Sequence, residues 1–150
     1  MTAKELYTEI AKTYTNSYFA SYEELNLTLD TATYPCAVIV PISKQVQFVS
    51  DRFKTIETVV VASLDVMPLD FETATAYDDI LKLENELLGT VYPFMDYIRN
   101  IQVLSELNKF DSNVLFAAFS FELMHNSVCP ENMKPQQVPP IEEEEENENA

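Results

Sequence analysis

The clearest pattern along the chain is an alternating segment, residues 56–67, followed by a segment with helical spacing, residues 76–98. In the first segment apolar residues recur at every second position, which is typical of a strand in a sheet covered on one face. In the second segment they recur every three or four positions, which predicts a helix. Pro68 ends the first pattern, and Asp70 is a favoured N-cap residue for the second. We therefore expect a strand that leads through a short turn into a long helix.

This long helix is expected to break near residues 90–93. A proline inside a helix removes a backbone hydrogen bond and clashes with the preceding turn, at a cost of about 3 kcal/mol, and Pro93 lies within the pattern. The apolar spacing continues on both sides of Pro93, so we expect both halves to pack on the same sheet.

The alternation in residues 56–67 divides the strand into two faces. One face is almost wholly apolar and is expected to point into the core. It consists of Ile56, Thr58, Val60, Ala62, Leu64 and Val66. The other face is mixed, because Glu57 and Asp65 accompany its valines, and we expect it to stay outside the core.

The N-terminal part is expected to contain one helix and an irregular connection. Thr2 and Glu5 form a capping-box pattern at the start of a helix over residues 2–14. Residues 15–33 show no sustained period. We expect them to form an ordered connection with one helical turn near residues 21–25.

A buried strand and a short hairpin are expected next. Residues 34–42 form a continuous β-branched run between prolines, which predicts a buried strand with restricted ends. Ser43 and Lys44 are suitable turn residues, and the alternation in residues 45–49 predicts a short returning strand.

The last part of the domain is expected to be a hairpin formed by residues 101–107 and 113–125. Alternate residues of its second strand form an unbroken apolar face. They are Leu115, Ala117, Phe119, Phe121 and Leu123. Val114 and Phe116 fall on the opposite face, where we expect a sheet surface that meets another subunit.

The chain changes character after residue 127. Residues 128–150 combine prolines with a run of glutamates, and they cannot bury enough apolar area to offset the entropy of ordering. We expect them to form a flexible acidic tail. Residues 1–127 then form a single α+β domain, with a small antiparallel or mixed β-sheet, helices packed on one of its faces, and an N-terminal helix.

Charge and composition exclude several functions. The formal net charge is −16, and the nine basic residues are scattered, whereas phosphate binding needs clustered Lys and Arg. One glycine in the whole chain excludes glycine-rich phosphate loops. Cys36 and Cys129 could form one disulfide but no disulfide framework, and the polar N-terminus and the lack of a long apolar run lead us to expect neither a signal peptide nor a membrane span. We expect a reduced intracellular protein without a membrane span or sequence-specific nucleic-acid binding.

Residues that could support catalysis are few. His125 is the only histidine, and it lies at a predicted strand end where a solvated imidazole is the ordinary outcome. Two cysteines and one histidine do not have the spacing of a zinc site, which needs four ligands. Two acidic pairs, Asp78 with Asp79 and Glu84 with Glu86, fit a solvated helix face better than an acid–base or Mg²⁺ site. We expect no catalytic, cofactor-binding or metal-binding residues, and no enzyme activity.

The order of these elements resembles the tail terminator proteins of tailed bacteriophages, also called tail completion or head–tail joining proteins. Three features carry the resemblance over roughly residues 2–125. Pro35 opens the first long strand, residues 56–66 run directly into the helix over 78–88, and residues 110–121 open the final strand with an acidic residue before the apolar run. The resemblance implies a structural subunit of a ring, commonly hexameric, in the neck of a virion made in a bacterial host's cytoplasm.

The resemblance also implies partners and contacts. The ring would end tail-tube growth, join the tail to the head connector, and let DNA pass through its bore. Contacts between subunits would come from sheet faces, with Val59, Val61, Val114 and Phe116 as candidates. Arg52 and Lys54, in a loop expected over residues 50–54, would contact a neighbour along the tail axis.

A different class of function remains open at this point. An acidic binding module, acting as an adaptor or as an inhibitor that mimics nucleic acid, would also have a strong negative charge. Such a mimic should carry its carboxylates along a continuous stripe, whereas the acids of residues 1–127 are scattered over helix starts and loops. The glutamate run in residues 142–146 either binds a basic partner or keeps the protein soluble.

Overall fold

Three α-helices and a five-stranded mixed sheet form the part of the chain that the computed structural model describes, residues 1–66, 72–105 and 114–128. This confirms the predicted α+β class. The elements in order are α1 (Ala3–Thr13), β1 (Ser17–Phe19), α2 (Leu25–Thr31), β2 (Cys36–Val49), β3 (Arg52–Val66), α3 (Thr73–Val91), a 3-10 helix (Tyr92–Tyr97), β4 (Ile98–Val103) and β5 (Val114–Val128). The strand order is β1-β2-β3-β5-β4, with β1 parallel to β2 and all other neighbours antiparallel.

Helix α1 begins where the capping-box pattern predicts. Thr2 is the N-cap: its hydroxyl accepts a hydrogen bond from the backbone N–H of Glu5, and the Glu5 carboxylate accepts one from the N–H of Thr2. Ala3, Leu6 and Ile10 follow each other at helical spacing and are buried against the sheet. The predicted N-terminal helix is confirmed.

A short strand and a helix replace the irregular connection predicted for residues 15–33. β1 adds an edge strand beside β2. α2 lies on the opposite face of the sheet from α1 and α3, where Leu25 and Leu29 pack against a buried cluster that contains Cys36 and Val38. A strand of three residues is too short to show an alternating pattern in the sequence. Only its pairing with β2 in the structure identifies β1 as a strand.

β2 and β3 form one long antiparallel hairpin. The two strands pair as far as Val49 and Arg52, and Ser50 and Asp51 form the turn between them. Ser50 has a φ of 59°, the left-handed conformation that tight hairpin turns require. The hairpin therefore extends well beyond the part of the sheet that the helices cover.

The predicted turn at Ser43 and Lys44 is wrong, because β2 continues through these residues. The ladder between β2 and β3 shifts between Pro41 and Ser43, which accommodates the proline without a reversal of the chain. The loop expected over residues 50–54 is also shorter than predicted, since β3 already begins at Arg52.

The mixed face of β3 is buried, contrary to the prediction, and the face predicted to form the core is buried only at Ile56 and Leu64. Val59 and Val61 are 0% exposed and lie in the main core, together with buried residues of α1 and α3. The prediction that they contact another subunit is therefore wrong. The mixed face is buried because both longer helices cover it, and Glu57 on this face bonds to the backbone of α1. Val60 and Ala62 on the apolar face are only half-buried, because the short α2 packs there.

Helix α3 confirms the predicted helix and its break. It ends at Val91, where the 3-10 helix begins, two residues before Pro93. Its buried residues keep the predicted spacing: Ala76, Ile80, Leu87 and Val91. The N-cap is Glu72 rather than Asp70. Pro68 and Asp70 themselves lie outside the described residues.

β4 and β5 are antiparallel neighbours, as the predicted C-terminal hairpin requires, but β4 spans Ile98–Val103 rather than the predicted residues 101–107. The residues that connect them, 106–113, lie outside the described residues. β5 lies between β3 and β4, and its predicted apolar row is buried: Leu115, Ala117, Phe119, Phe121 and Leu123. Val128, predicted to begin the tail, is the last residue of β5 and pairs with Arg52. The rest of the predicted tail, residues 129–150, lies outside the described part.

Candidate assembly surface

The residues considered for catalysis lie far apart. His125 pairs with Thr55 at one end of β3, and Cys36 pairs with Leu64 near the other. At the rise of a β-strand these positions are roughly 30 Å apart. Burial raises the pKa of the Cys36 thiol to about 11, and the negative charge of Asp65 acts in the same direction. The thiol therefore stays protonated at neutral pH and is a poor nucleophile there.

The four acidic residues of α3 all remain in contact with solvent. Asp78 and Glu86 are exposed, while Asp79 and Glu84 are half-exposed. Within residues 1–66, 72–105 and 114–128, no three His, Cys, Asp or Glu side chains are grouped where a metal ion could be held. In the same ranges, no helix is both long enough and apolar enough to cross a membrane.

The end of the β2–β3 hairpin, residues 42–54, is the most exposed apolar part of the sheet, and we call it the distal hairpin. Its exposed apolar residues are Ile42, Val46, Phe48 and Phe53. Val46 is 58% and Phe48 50% exposed, so these side chains keep about half of their surface in contact with water. Contiguous exposed apolar surface on a soluble protein commonly marks a site of protein–protein contact.

Three of these side chains lie on one face. Phe48 is paired with Phe53 across the hairpin, with ring centroids 5.3 Å apart in an edge-to-face arrangement. Val46 is two residues before Phe48, and its partner Thr55 is two residues after Phe53, so all share the face that carries α1 and α3. The apolar face of the distal hairpin therefore continues the helix-covered face of the core beyond the helices.

The distal hairpin is also positively charged. It contains three of the nine basic residues of the chain, Lys44, Arg52 and Lys54, with Asp51 as its one acid. The rest of the chain holds the remaining 24 of the 25 acids, so the distal hairpin is a basic segment of a strongly acidic chain. The side chain of Arg52 is exposed and that of Lys54 is half-exposed, as predicted for contact residues, although their contact with a partner stays a prediction.

The base of the distal hairpin is attached to α1. The carboxylate of Glu57 accepts a hydrogen bond of 2.9 Å from the N–H of Ala3, and the ammonium of Lys44 lies 4.0 Å from the same carboxylate. The N-terminal ammonium of Met1 donates a hydrogen bond of 3.1 Å to the carbonyl of Met124. These contacts hold the start of α1 across β3 and β5 at the level where the exposed segment begins.

One edge of the distal hairpin has no neighbouring strand among the described residues. β1 pairs only with the segment of β2 from Ala37 to Ile39, so β2 is the edge of the sheet from Val40 onwards. An uncovered edge offers backbone groups to a partner, and natural proteins often protect such edges with lysine or a bulge. Lys44 and the irregularity after Pro41 provide both devices here, so we expect contacts through side chains rather than strand addition.

The other predicted contact residues, Val114 and Phe116, are half-buried. They lie on the face of the sheet opposite α1 and α3, beside the buried cluster that contains Cys36 and Leu64. Their role in assembly stays a prediction. The sequence predicts only a short strand over residues 45–49 and gives Val46 and Phe48 no contact role, because it places a turn before them at Ser43 and Lys44.

A shallow depression lies beside β4 and β5, on the face of the sheet opposite α1 and α3. Thr58, Gln102 and Ser120 line it, and Glu122 is held there by Arg99 at 2.8 Å and by the amide of Asn100 at 3.1 Å. Asn100, with a φ of 56°, lies where the β4–β5 ladder is irregular. Since the carboxylate of Glu122 is already paired, the depression is a weaker candidate than the distal hairpin.

Comparison with known protein families and with curated proteins finds no match to the chain.

Proposed function

We propose that this chain is the structural subunit of a ring at the head–tail junction of a tailed bacteriophage, of the tail terminator type. In that role it binds further copies of itself, the head connector and the tail tube. The ring ends growth of the tail tube and leaves a bore through which DNA passes. The subunit acts in the neck of the virion.

The observation that carries this proposal is the distal hairpin. Its apolar face, with Phe48 and Phe53, stays in water while the core of the same sheet is fully covered. A subunit that works alone gains nothing from this exposure, whereas an assembling subunit can bury it against a neighbour. The distal hairpin is therefore the part of the subunit that we assign to assembly.

The order of elements supports the same proposal. β3 leads into α3, and the two final strands follow α3, which is the order on which the resemblance to tail terminators rests. β1 and α2 are additions to that order. β1 lies at the edge of the sheet, and α2 lies on the face opposite α1 and α3. Neither addition changes the order of the other elements.

The charge of the chain suits a channel for DNA. A net charge of −16 repels phosphates, so a bore lined by this protein would not hold DNA as a basic surface would. The basic residues of the distal hairpin then belong at contacts between proteins rather than at the bore. This assignment also separates the charge that repels DNA from the charge that attracts a neighbouring subunit.

The test is deletion of the gene from the virus that carries it, followed by electron microscopy of the lysates. We expect unjoined heads together with tails of irregular length, and a return to normal particles when the wild-type chain is supplied from a plasmid. Normal particles after deletion would contradict the proposal. The acidic binding module predicts that outcome instead, together with competition between this chain and DNA for a basic protein.

A further inference from the structure

The chain leaves the described part of the structure at the end of the distal hairpin. β5 runs antiparallel to β3 and ends at Val128, at the level of the turn between β2 and β3. One position earlier Ser127 pairs with Phe53, so both side chains lie on the face that carries α1 and α3. Residues 129–150 therefore start beside the apolar face of the distal hairpin.

The distance from this exit to the apolar face is short. Neighbouring strands lie about 4.8 Å apart, so the end of β5 is one strand from Phe53 and two strands, or roughly 10 Å, from Phe48. Ten residues of chain span at most about 33–36 Å. The residues that follow Val128 are therefore long enough to turn back and reach both aromatic rings.

The first half of this segment has a composition that suits an aromatic surface. Residues 130–141 contain four prolines, and residues 138–141 form the uninterrupted apolar run Val-Pro-Pro-Ile just before the glutamates begin. Proline-rich segments are held near their extended bound conformation, so they lose little entropy when they dock on aromatic side chains. Phe48 and Phe53, in edge-to-face contact and partly exposed, form such a surface.

The covalent connection favours this segment over a separate molecule. A segment joined to its binding surface by a short connection meets that surface at an effective concentration in the millimolar range. A second copy of the chain at about 10 μM is roughly 100-fold more dilute, so it must bind about 100-fold more tightly to compete equally. In a free subunit, the chain's own segment is therefore the occupant that the position of the exit favours.

We propose that residues 138–141 pack on the apolar face of the distal hairpin in the same chain, and we call this contact the cover. It shields Val46, Phe48 and Phe53 from water while the subunit is free. In the role proposed above, a neighbouring subunit must displace the cover before it binds the hairpin, so the cover restrains assembly away from the growing virion. The proposal rests on that role only for the identity of the molecule that displaces the segment.

A single tryptophan reads the cover directly, because the natural chain contains none. Phe48→Trp in the full-length chain places an indole on the apolar face, at a side chain that the described residues leave 50% exposed. We expect an emission maximum at a shorter wavelength than that of indole in water, and slow quenching by acrylamide. Emission and quenching equal to those of the unfolded chain in urea would overturn the proposal.

Two pairs of substitutions separate the cover from other effects of the segment. Val138→Asp with Ile141→Asp, added to the Phe48→Trp chain, should shift the emission to longer wavelength and speed quenching, because charged side chains do not pack on the aromatic rings. Gln136→Asp with Gln137→Asp is the matched control, since it adds the same charge to the same segment and should leave the emission unchanged. Equal shifts for the two pairs, or no shift for either, would contradict the proposed contact.

A tryptophan elsewhere controls for changes in the whole chain. Tyr22 is 74% exposed and lies just before α2, which packs on the opposite face of the sheet. Tyr22→Trp should give an emission at long wavelength that neither pair of aspartates alters. A shift at this position as large as that at Phe48 would show a general change in the fold and would overturn the assignment to the hairpin.

Photo-crosslinking shows whether the contact lies within one chain. A photoreactive benzoylphenylalanine replaces Phe48, and isotope-labelled and unlabelled full-length chains are mixed before illumination. We expect mass spectrometry to find crosslinks to residues 130–141 in which both peptides carry the same label, and we expect no change in their yield on dilution. Crosslinked peptides of mixed label, or no crosslink to this segment, would overturn the proposal.

The outcomes separate this proposal from the function on which it rests. If the free chain shows no cover but deletion of the gene gives unjoined heads and tails, the cover is wrong and the ring function stands. If the cover is found but deletion of the gene leaves particles normal, the cover stands and the function at the head–tail junction is wrong.

Discussion

The carboxylate of Glu57 accepts a hydrogen bond of 2.9 Å from the backbone N–H of Ala3, 54 positions earlier in the chain. Ala3 is the first residue of α1, so this bond satisfies one of the free donors at the helix start and places a negative charge at the positive end of the helix dipole. The bond joins the N-terminal helix to the middle of the sheet. It also explains how a charged residue is accommodated on the buried face of β3.

Replacement of Glu57 by alanine should loosen α1 from the sheet. The variant leaves the N–H of Ala3 without this acceptor and removes the favourable charge, so we expect a loss of about 1–3 kcal/mol in the free energy of unfolding. Glu57→Gln keeps an acceptor and should lose only about 0.3–1 kcal/mol, from the charge alone. Urea unfolding measures both. Equal losses for the two variants would show that the hydrogen bond itself contributes little.

The reversed faces of β3 predict unequal effects for neighbouring valines. Val61 is 0% exposed in the main core, whereas Val60, one position away, is half-buried on the other face. Val61→Ala should lower the free energy of unfolding by about 2 kcal/mol, since it leaves a cavity, and Val60→Ala should lower it by less than about 1 kcal/mol. A larger effect for Val60 in thermal or urea unfolding would restore the orientation expected from the sequence.

Burial of Tyr14 predicts that its hydroxyl is dispensable. The oxygen is buried beside Ser63 and Thr90, and it makes no hydrogen bond with any described residue. Burial raises the pKa of this phenol. Tyr14→Phe should leave stability unchanged or raise it by about 1 kcal/mol. Tyr7→Phe in α1 is the matched control, because the Tyr7 hydroxyl donates a hydrogen bond of 3.4 Å to the carbonyl of Ser17, and this variant should lower stability slightly.

The thiol of Cys36 should be protected in the folded protein. In a Cys129→Ser background, which leaves one thiol, iodoacetamide at pH 8 should modify Cys36 only after denaturant is added, since the thiol is buried and its pKa is raised to about 11. Mass spectrometry of the intact chain provides the measurement. Rapid modification without denaturant would show that β2 opens at this end.

The same thiol predicts a loss of stability at alkaline pH. The thiol of the unfolded chain has a pKa of about 8.5, whereas burial raises the pKa of the Cys36 thiol in the folded chain to about 11. The contribution of Cys36 is therefore complete below pH 8.5 and is lost progressively as pH rises towards 11. Cys36→Ala in the Cys129→Ser background removes this dependence, so the difference between the two unfolding curves should shrink over that range. A constant difference would contradict the raised pKa.

Much of the fold could be predicted from local patterns. The capping box at Thr2 and Glu5, the apolar spacing along α3 and the break near Pro93 all arise from residues within a few turns of one another. β5 was also predictable, because its apolar row repeats strictly over the central part of the strand. These signals depend on backbone geometry and hydrogen bonding within a single helix or strand. All the residues that produce them lie close together in the sequence.

The candidate site was only partly predictable. The sequence predicts a strand over residues 45–49 and an exposed loop with Arg52 and Lys54, but it gives Val46 and Phe48 no contact role. The turn was misplaced because Ser43 and Lys44 have suitable turn chemistry, while the ladder with β3 continues through them. Pairing between strands is a long-range property, so the residues around a turn do not determine by themselves where the chain reverses.

The sequence by itself determined which segments form α1, α3 and the centres of β3 and β5, and that the chain is strongly acidic. The tertiary structure decided which face of β3 is buried. Alternation predicts that Val59 and Val60 point to opposite faces of the sheet. How far each is buried depends on the size of the helices that pack on its face. α1 and α3 cover the side of Val59, and the short α2 covers the side of Val60. Two long helices exclude more water than one short helix, so the more polar face became the core.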